Sequence, residues 1–146
     1  MSKKLQEKDF LEALAALPRV ALNLLVTNQD RAVLLAKRAI PPQEGVWHMP
    51  GSYVLKGEPF AACLERVAVT ELGLAIDGTK PQLAGVFEDL HGDPRGHCID
   101  IVYTYKITNE LNISPTKETK KLQFFTKLPE NIGFNHRETL EKLGYT

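Results

Sequence analysis

The side chain chemically most out of place in this sequence is Glu71. Pro59 fits a first helical position and Gly73 the residue just past a helix end, so the spacing predicts a helix over residues 59–72. At about 100° per residue, Phe60, Leu64, Val67, Ala68 and Leu72 form one broad apolar arc. Glu71 falls inside that arc, near ~20° from Phe60, with Leu64 near ~40°. It also lies in the last turn, where the helix macrodipole disfavours a negative charge by up to about 1 kcal/mol. A buried, unpaired carboxylate costs several kcal/mol or takes up a proton, so an arginine or a metal ion is expected beside Glu71.

Around Glu71 the stretch GSYVLKGEPFAACLERVAVTELGL, residues 51–74, resembles the Nudix box, whose pattern is G-x5-E-x7-R-E-U-x-E-E-x-G-U with U a bulky aliphatic. Glu58, Arg66, Glu71, Gly73 and Leu74 match it, Ala68 stands at the first U, and Ser52 takes the glycine position next to Gly51. Val67 and Thr70 replace the other two glutamates of the pattern, so the i, i+3, i+4 face that would carry three carboxylates carries one. The likeness extends to both flanks. KRAIPPQEGVWHMPG, residues 37–51, resembles the strand and loop entering the box, and HGDPRGHCIDIVY, residues 91–103, a loop and strand that follow it. ERVAVTELGL is similar to the modified box of the GDP-mannose mannosyl hydrolase branch, which also lacks two box glutamates and uses one divalent metal.

The resemblance implies a single Nudix domain over residues 1–146, with an α/β/α sandwich around a mixed β-sheet, that hydrolyses a nucleoside diphosphate linked to another moiety. It implies Mg2+, or Mn2+ in its place, held by Glu71, the Gly51 carbonyl and Glu118. Mg2+ keeps several of its waters and bridges phosphates, so one or two protein carboxylates suffice. Glu118 is also a candidate proton acceptor, whereas Thr119 stands where that branch has a histidine and is a poor base. Arg38 maps to an arginine on the leaving diphosphate. Arg66 and Glu58 map to support of the box helix. Asn23 replaces an aspartate and Tyr53 an arginine of the mannosyl branch, which removes the expected base for attack at a sugar carbon. Side chains of the 88–97 loop (Glu88, Asp89, His91, Asp93, Arg95, His97) are alternative sources of a base or of substrate contacts.

The remaining elements must carry these residues to one place. Asp9 and Glu12 have capping-box spacing ahead of Phe10, Leu14 and Leu17, and Pro18 ends that helix. RVALNLLV and RAVLLAKR read as strands joined by Asn28-Gln29-Asp30, and residues 39–52 as a loop leading to an extended piece at 52–55. QLAGVFEDL, HCIDIVYTYKI and KLQFFTKL read as further strands, and Asn135 with Glu138 opens a last helix. Strands interleaved with helices, some in hairpins, predict an α/β or α+β layered domain with a mixed sheet.

Composition sets the limits. In 146 residues, 18 basic side chains balance 18 acidic ones, so any anion must be held by a local site; binding to nucleic acid or a membrane surface is not expected. No apolar run approaches the roughly 20 residues needed to span a bilayer, and the start MSKKLQEKDF lacks the form of a secretory signal, so the expected location is cytoplasmic. Cys63 and Cys98 read as buried thiols. The leading expectation is a Mg2+-dependent hydrolase of a nucleotide sugar, GDP-mannose-like or ADP-ribose-like, with a homodimer implied by the mannosyl branch. The alternative is a Nudix-fold nucleotide-binding or sensor module whose catalysis has weakened with the loss of two carboxylates.

Overall fold

The computed structural model describes residues 4–146; of the N-terminal signal reading, Met1, Ser2 and Lys3 lie outside them. In chain order the elements are α1 (Glu7–Ala16), β1 (Arg19–Thr27), β2 (Val33–Arg38), β3 (Trp47–His48), β4 (Gly51–Tyr53), α2 (Phe60–Leu72), β5 (Gln82–Asp89), β6 (Cys98–Lys106), a 3-10 turn at Glu110–Asn112, β7 (Thr119–Phe125) and α3 (His136–Lys142). Seven strands form one mixed sheet in the order β3-β2-β1-β6-β5, with β4 alongside β1 and β7 alongside β2. Strands β1 and β6 run parallel, in register from Arg19 opposite Cys98 to Thr27 opposite Lys106, and Trp47 makes an isolated parallel bridge with Ile132. Among the described residues no helix is long and apolar enough to cross a membrane.

Strand alternation sends β1 side chains to two cores. Leu22, Leu24 and Val26 pack with Leu34 under Leu64, Val67, Ala68 and Leu72 of α2. On the opposite face Leu25, Val33, Leu35 and Val102 pack with Met49 and with Leu140 of α3. Ala21 and Asn23 share that second face, so a polar residue sits in the register of the core.

Several boundaries differ from those expected. Helix α1 begins at Glu7 with Gln6 as its N-cap, so Asp9 lies in the first turn, where its charge suits the dipole, and caps nothing. Pro59 is the N-cap of α2 and Phe60 its first residue. Phe60 leaves the apolar arc: it is exposed, with its ring edge-on to Tyr103 of β6 at 6.4 Å. Trp47–His48, expected within a loop, forms a two-residue strand against Lys37 and Ala36, fixed by tertiary pairing and not by any local period. The Asn28 turn forms as read, its Oδ1 accepting from the N–H groups of Asp30 and Ala32, each at 3.0 Å. Cys63 and Cys98 are buried free thiols.

The C-terminus of α2 is closed entirely by neutral donors. Gly73, at φ 59° and ψ 24°, turns the chain left-handed. This lets the Gly73 N–H reach the Val69 carbonyl and the Leu74 N–H the Ala68 carbonyl. The next three carbonyls are capped from the 114–119 loop: Thr70 by the Thr116 hydroxyl (2.5 Å), Glu71 by the Thr119 hydroxyl (3.3 Å) and Leu72 by the Ser114 N–H (2.8 Å). A Cβ at Gly73 would fall 2.5 Å from Ser114 Oγ. Gly73→Ala therefore combines left-handed strain with a displaced capping loop. It should cost about 1–2 kcal/mol, a loss of several degrees in Tm by calorimetry.

Candidate active site

Helix α2 delivers Glu71 to the line where β4 meets β1. The carboxylate is 5% exposed, and its Oε2 accepts a hydrogen bond from the Gly51 N–H at 2.9 Å. None of the ion pairs among the described residues includes it, so the arginine expected as one of two alternatives is not in contact with it among them. Burial pushes the Glu71 carboxyl up to about 8; the Gly51 N–H and the more distant Arg38 oppose that rise, and Glu118 adds to it. Gly51 has to be glycine, because a Cβ there would lie 2.1 Å from Asn23 Oδ1 and 2.9 Å from the Leu22 carbonyl oxygen.

Glu71 opens into a cavity of about 270 Å3 that is also lined by Gly51, Arg38, Glu118, His48 and Asn23. The box arginine lies behind it. Arg66 Nε and Nη2 donate to the two oxygens of Glu58 at 3.0 and 2.9 Å, Nη1 donates to Ser52 Oγ at 2.9 Å, and Nη2 donates to the Tyr53 carbonyl at 2.8 Å. One guanidinium thus ties α2, the turn before it and β4 together, and it holds the Glu58 carboxyl below the usual carboxylate range. Arg38 is buried at the end of β2, its Nε donating to the Pro42 carbonyl (2.6 Å) and Nη2 to that of Pro41 (3.1 Å), with the guanidinium over the Phe134 ring. Burial, with Arg95 nearby, lowers its pKa from the ordinary arginine value.

Glu118 is half-buried on the loop that caps α2, so the hydroxyl contacts that close the helix also bring this second carboxylate to the cavity of the first. Thr119 is occupied in capping. Val67 is fully buried in the α2 core, and Thr70 folds its hydroxyl back onto the Arg66 carbonyl at 2.8 Å, so neither offers an oxygen to the site in place of the missing glutamates. Of residues 88–97, expected as a loop, Glu88 and Asp89 end β5; Asp89, Asp93 and Arg95 line the cavity, whereas Glu88 and His91 are exposed and do not line it. His48 and His136 also line it, both held neutral: burial drives the His48 pKa well down and that of His136 to about 4, and His136 Nδ1 accepts the Met49 N–H at 2.9 Å.

Sequence reasoning missed Asp100, whose carboxyl is pushed up to about 6 chiefly by burial. It is 5% exposed on β6 between Cys98 and Val102, so an acidic residue at an inward position of an alternating strand was the available signal. Phe134 was also missed, as was the packing of Phe10, Tyr53 and Arg19 around Arg95, itself a named candidate, because long-range contacts bring them together.

Among the described residues no group of three or more His, Cys, Asp or Glu side chains is spaced to hold a metal. Glu71, Glu118 and Gly51, expected from the sequence to hold a metal, line one cavity, and their oxygens are of the hard type that Mg2+ or Mn2+ prefers. An α/β/α sandwich with a buried helix glutamate held against a glycine of the neighbouring strand defines the class. Residues 17–145 match the NUDIX domain family, and the chain belongs to the Nudix hydrolases. It is 31% identical over 126 residues to an ADP-ribose pyrophosphatase of Methanocaldococcus jannaschii, covering 85% of this chain and 72% of that protein. Among solved structures it is similar to a MutT NUDIX hydrolase from Burkholderia pseudomallei (TM-score 0.73, 25% identity, 86% of this chain and 97% of that one). The NUDIX domain of Shewanella oneidensis NrtR, complexed with ADP ribose, shares the fold (TM-score 0.70, 15% identity, 94% and 96% covered).

In the metal-free protein the raised Glu71 pKa has a definite linkage. Between the unfolded value near 4.5 and the folded value of about 8, the native state binds the extra proton, so stability falls as pH rises through that window and is level above it. Glu71→Gln removes this slope. In chelator the variant should melt several degrees above the parent at pH 8 and equal to it near pH 4.5, as read by differential scanning calorimetry across that range.

Proposed function

We propose that this protein is a divalent-metal-dependent hydrolase that cleaves the phosphoanhydride of a nucleoside diphosphate sugar, with an ADP-ribose-like compound favoured over a GDP-mannose-like one. The observation that carries the reading is the buried Glu71 carboxylate, oriented by the Gly51 N–H and, among the described residues, in no ion pair. Glu71, the Gly51 carbonyl and Glu118 would hold Mg2+, with Mn2+ as a substitute. Bound there, the ion would offset the charge of the diphosphate and stabilise the departing phosphate oxygen.

Arg38 is fixed by the two proline carbonyls with its guanidinium on the cavity wall, a position suited to donating hydrogen bonds to the diphosphate. Glu118 orients a water molecule and accepts one of its protons. The water oxygen bonds to phosphorus, and the electrons of the broken P–O bond leave with the second phosphate, giving two monophosphates. Attack at phosphorus is supported by the residues at positions 23 and 119: asparagine and threonine offer no base for attack at a sugar carbon. The ADP-ribose preference is supported by the named activity of the Methanocaldococcus relative. The one-carboxylate box, similar to that of GDP-mannose mannosyl hydrolases, supports a single metal. Arg66 and Glu58 position the helix and touch no substrate.

The test is an assay of ADP-ribose, GDP-mannose and ADP-glucose with Mg2+, with products separated by chromatography. ADP-ribose should give AMP and ribose 5-phosphate; ADP and free ribose would place attack at carbon. Glu71→Gln should lower kcat/KM by about a hundredfold or more while the protein stays folded, and Arg38→Ala by about tenfold or more. Stabilisation of the parent protein by these ligands without any product would favour the nucleotide-sensing module instead.

A further inference from the structure

The cavity floor carries a donor and an acceptor that the proposed diphosphate chemistry leaves unused. Asn23 is 3% exposed, lines the cavity, and its buried Nδ2 makes no hydrogen bond of ordinary length, the Asp100 carboxylate being the acceptor it approaches. Its side chain lies against Gly51, the residue that contacts Glu71, so it belongs to the surface running on from the metal end. In the parallel pairing Ala21 stands opposite Asp100 and Asn23 opposite Val102, which puts Asn23 and Asp100 diagonally adjacent on one face. The neighbouring carboxylates are engaged: Asp93 by Arg95 and the Tyr53 hydroxyl, Asp89 by the Gly92 N–H. Asp100 accepts the weak Cys98 thiol contact, at 3.4 Å, and is approached by the Asn23 amide, which helps hold its carboxylate ionised.

A donor beside an acceptor, both buried, is the pattern that two adjacent hydroxyls satisfy, since each hydroxyl both donates and accepts. A phosphate is disfavoured there by the buried carboxylates of Asp89, Asp93 and Asp100. A stacked base is disfavoured because the nearby Phe10 and Tyr53 rings already carry the Arg19 and Arg95 guanidiniums at 4.9–5.7 Å. We propose that Asn23 and Asp100 form a diol-reading subsite that takes two neighbouring hydroxyls of the sugar attached to the diphosphate, Asn23 Nδ2 donating to one and Asp100 accepting from the next. This rests on the reading of the Glu71 end as the diphosphate site.

The test compares ADP-ribose with the methyl ester of ADP, which keeps the nucleoside and diphosphate and lacks the second sugar. Calorimetry with Ca2+ gives the two affinities, and initial rates with Mg2+ are measured separately. In Asn23→Leu the ratio of ADP-ribose to methyl-ester affinity should fall about tenfold, and the near-isosteric Asp100→Asn should move it the same way. A ratio unchanged in the folded variants overturns the subsite even where ADP-ribose is hydrolysed. A parent protein that binds both compounds and hydrolyses neither overturns the hydrolase reading and leaves the ratio to judge the subsite, and one that binds neither overturns both. Should Asn23→Leu fail to fold, Asp100→Asn decides.

Discussion

The hydrogen bond from the Gly51 N–H to the Glu71 carboxylate joins the end of α2 to the sheet, and the geometry around it is constrained from every side. Gly51 tolerates no Cβ, since Asn23 and the Leu22 carbonyl occupy the space. Glu71 is buried with a single N–H as its recorded hydrogen-bond donor, and burial drives its pKa upward as far as a carboxyl held neutral at pH 7. Such a group is a poor structural element, because a leucine of similar size would contribute about 2 kcal/mol by burial without the desolvation penalty. The metal-binding role proposed for it gives the charge a use, since a cation would restore it.

The closure of α2 bears on the same point. The last turn of a helix presents partial negative charge, commonly offset by a lysine or arginine. Here hydroxyls and amides from residues 114–119 satisfy the carbonyls, and no basic residue stands in the last turn. The hydrogen bonds are complete while the field remains uncompensated, so the carbonyl end and the Glu71 carboxylate both favour a positive charge in the cavity. The same loop positions Glu118, and helix closure and the recruitment of a second carboxylate are therefore one structural event. The Arg66–Glu58 pair works at a distance from this field: it locks α2 to β4 and leaves the Gly51–Glu71 contact no freedom to slide.

Much of this was legible in the chain because it is local. The Pro59 and Gly73 signals bound α2 to within a residue, and the wheel placed Glu71 on the buried side. The Asn28 turn and the long strands follow from turn chemistry and period. Phe60 escaped the wheel because periodicity gives direction and does not tell which positions along the arc are covered. Trp47–His48 escaped because two residues have no period of their own. The cavity floor was the least legible part: Asn23, Asp100 and Asp93 lie on three separate segments, and only the parallel register of β1 with β6 brings the first two together.

A chain with no net charge still presents both signs of charge in one cavity. Positive groups (Arg38, Arg19, Arg95) and negative groups (Glu71, Glu118, Asp89, Asp93, Asp100) share one cavity, yet they are not interchangeable around its wall. Arg95 is neutralised by Asp93 through two hydrogen bonds from its guanidinium, and Arg19 rests on aromatic faces. Arg38 differs, because its recorded hydrogen bonds go to backbone carbonyls and consume donors without cancelling charge. Glu71 mirrors it, accepting from a backbone N–H that leaves its ionisation uncompensated. The fold thus uses neutral backbone groups to orient the Arg38 guanidinium and the Glu71 carboxyl, and no side chain of opposite charge is spent on either among the described residues.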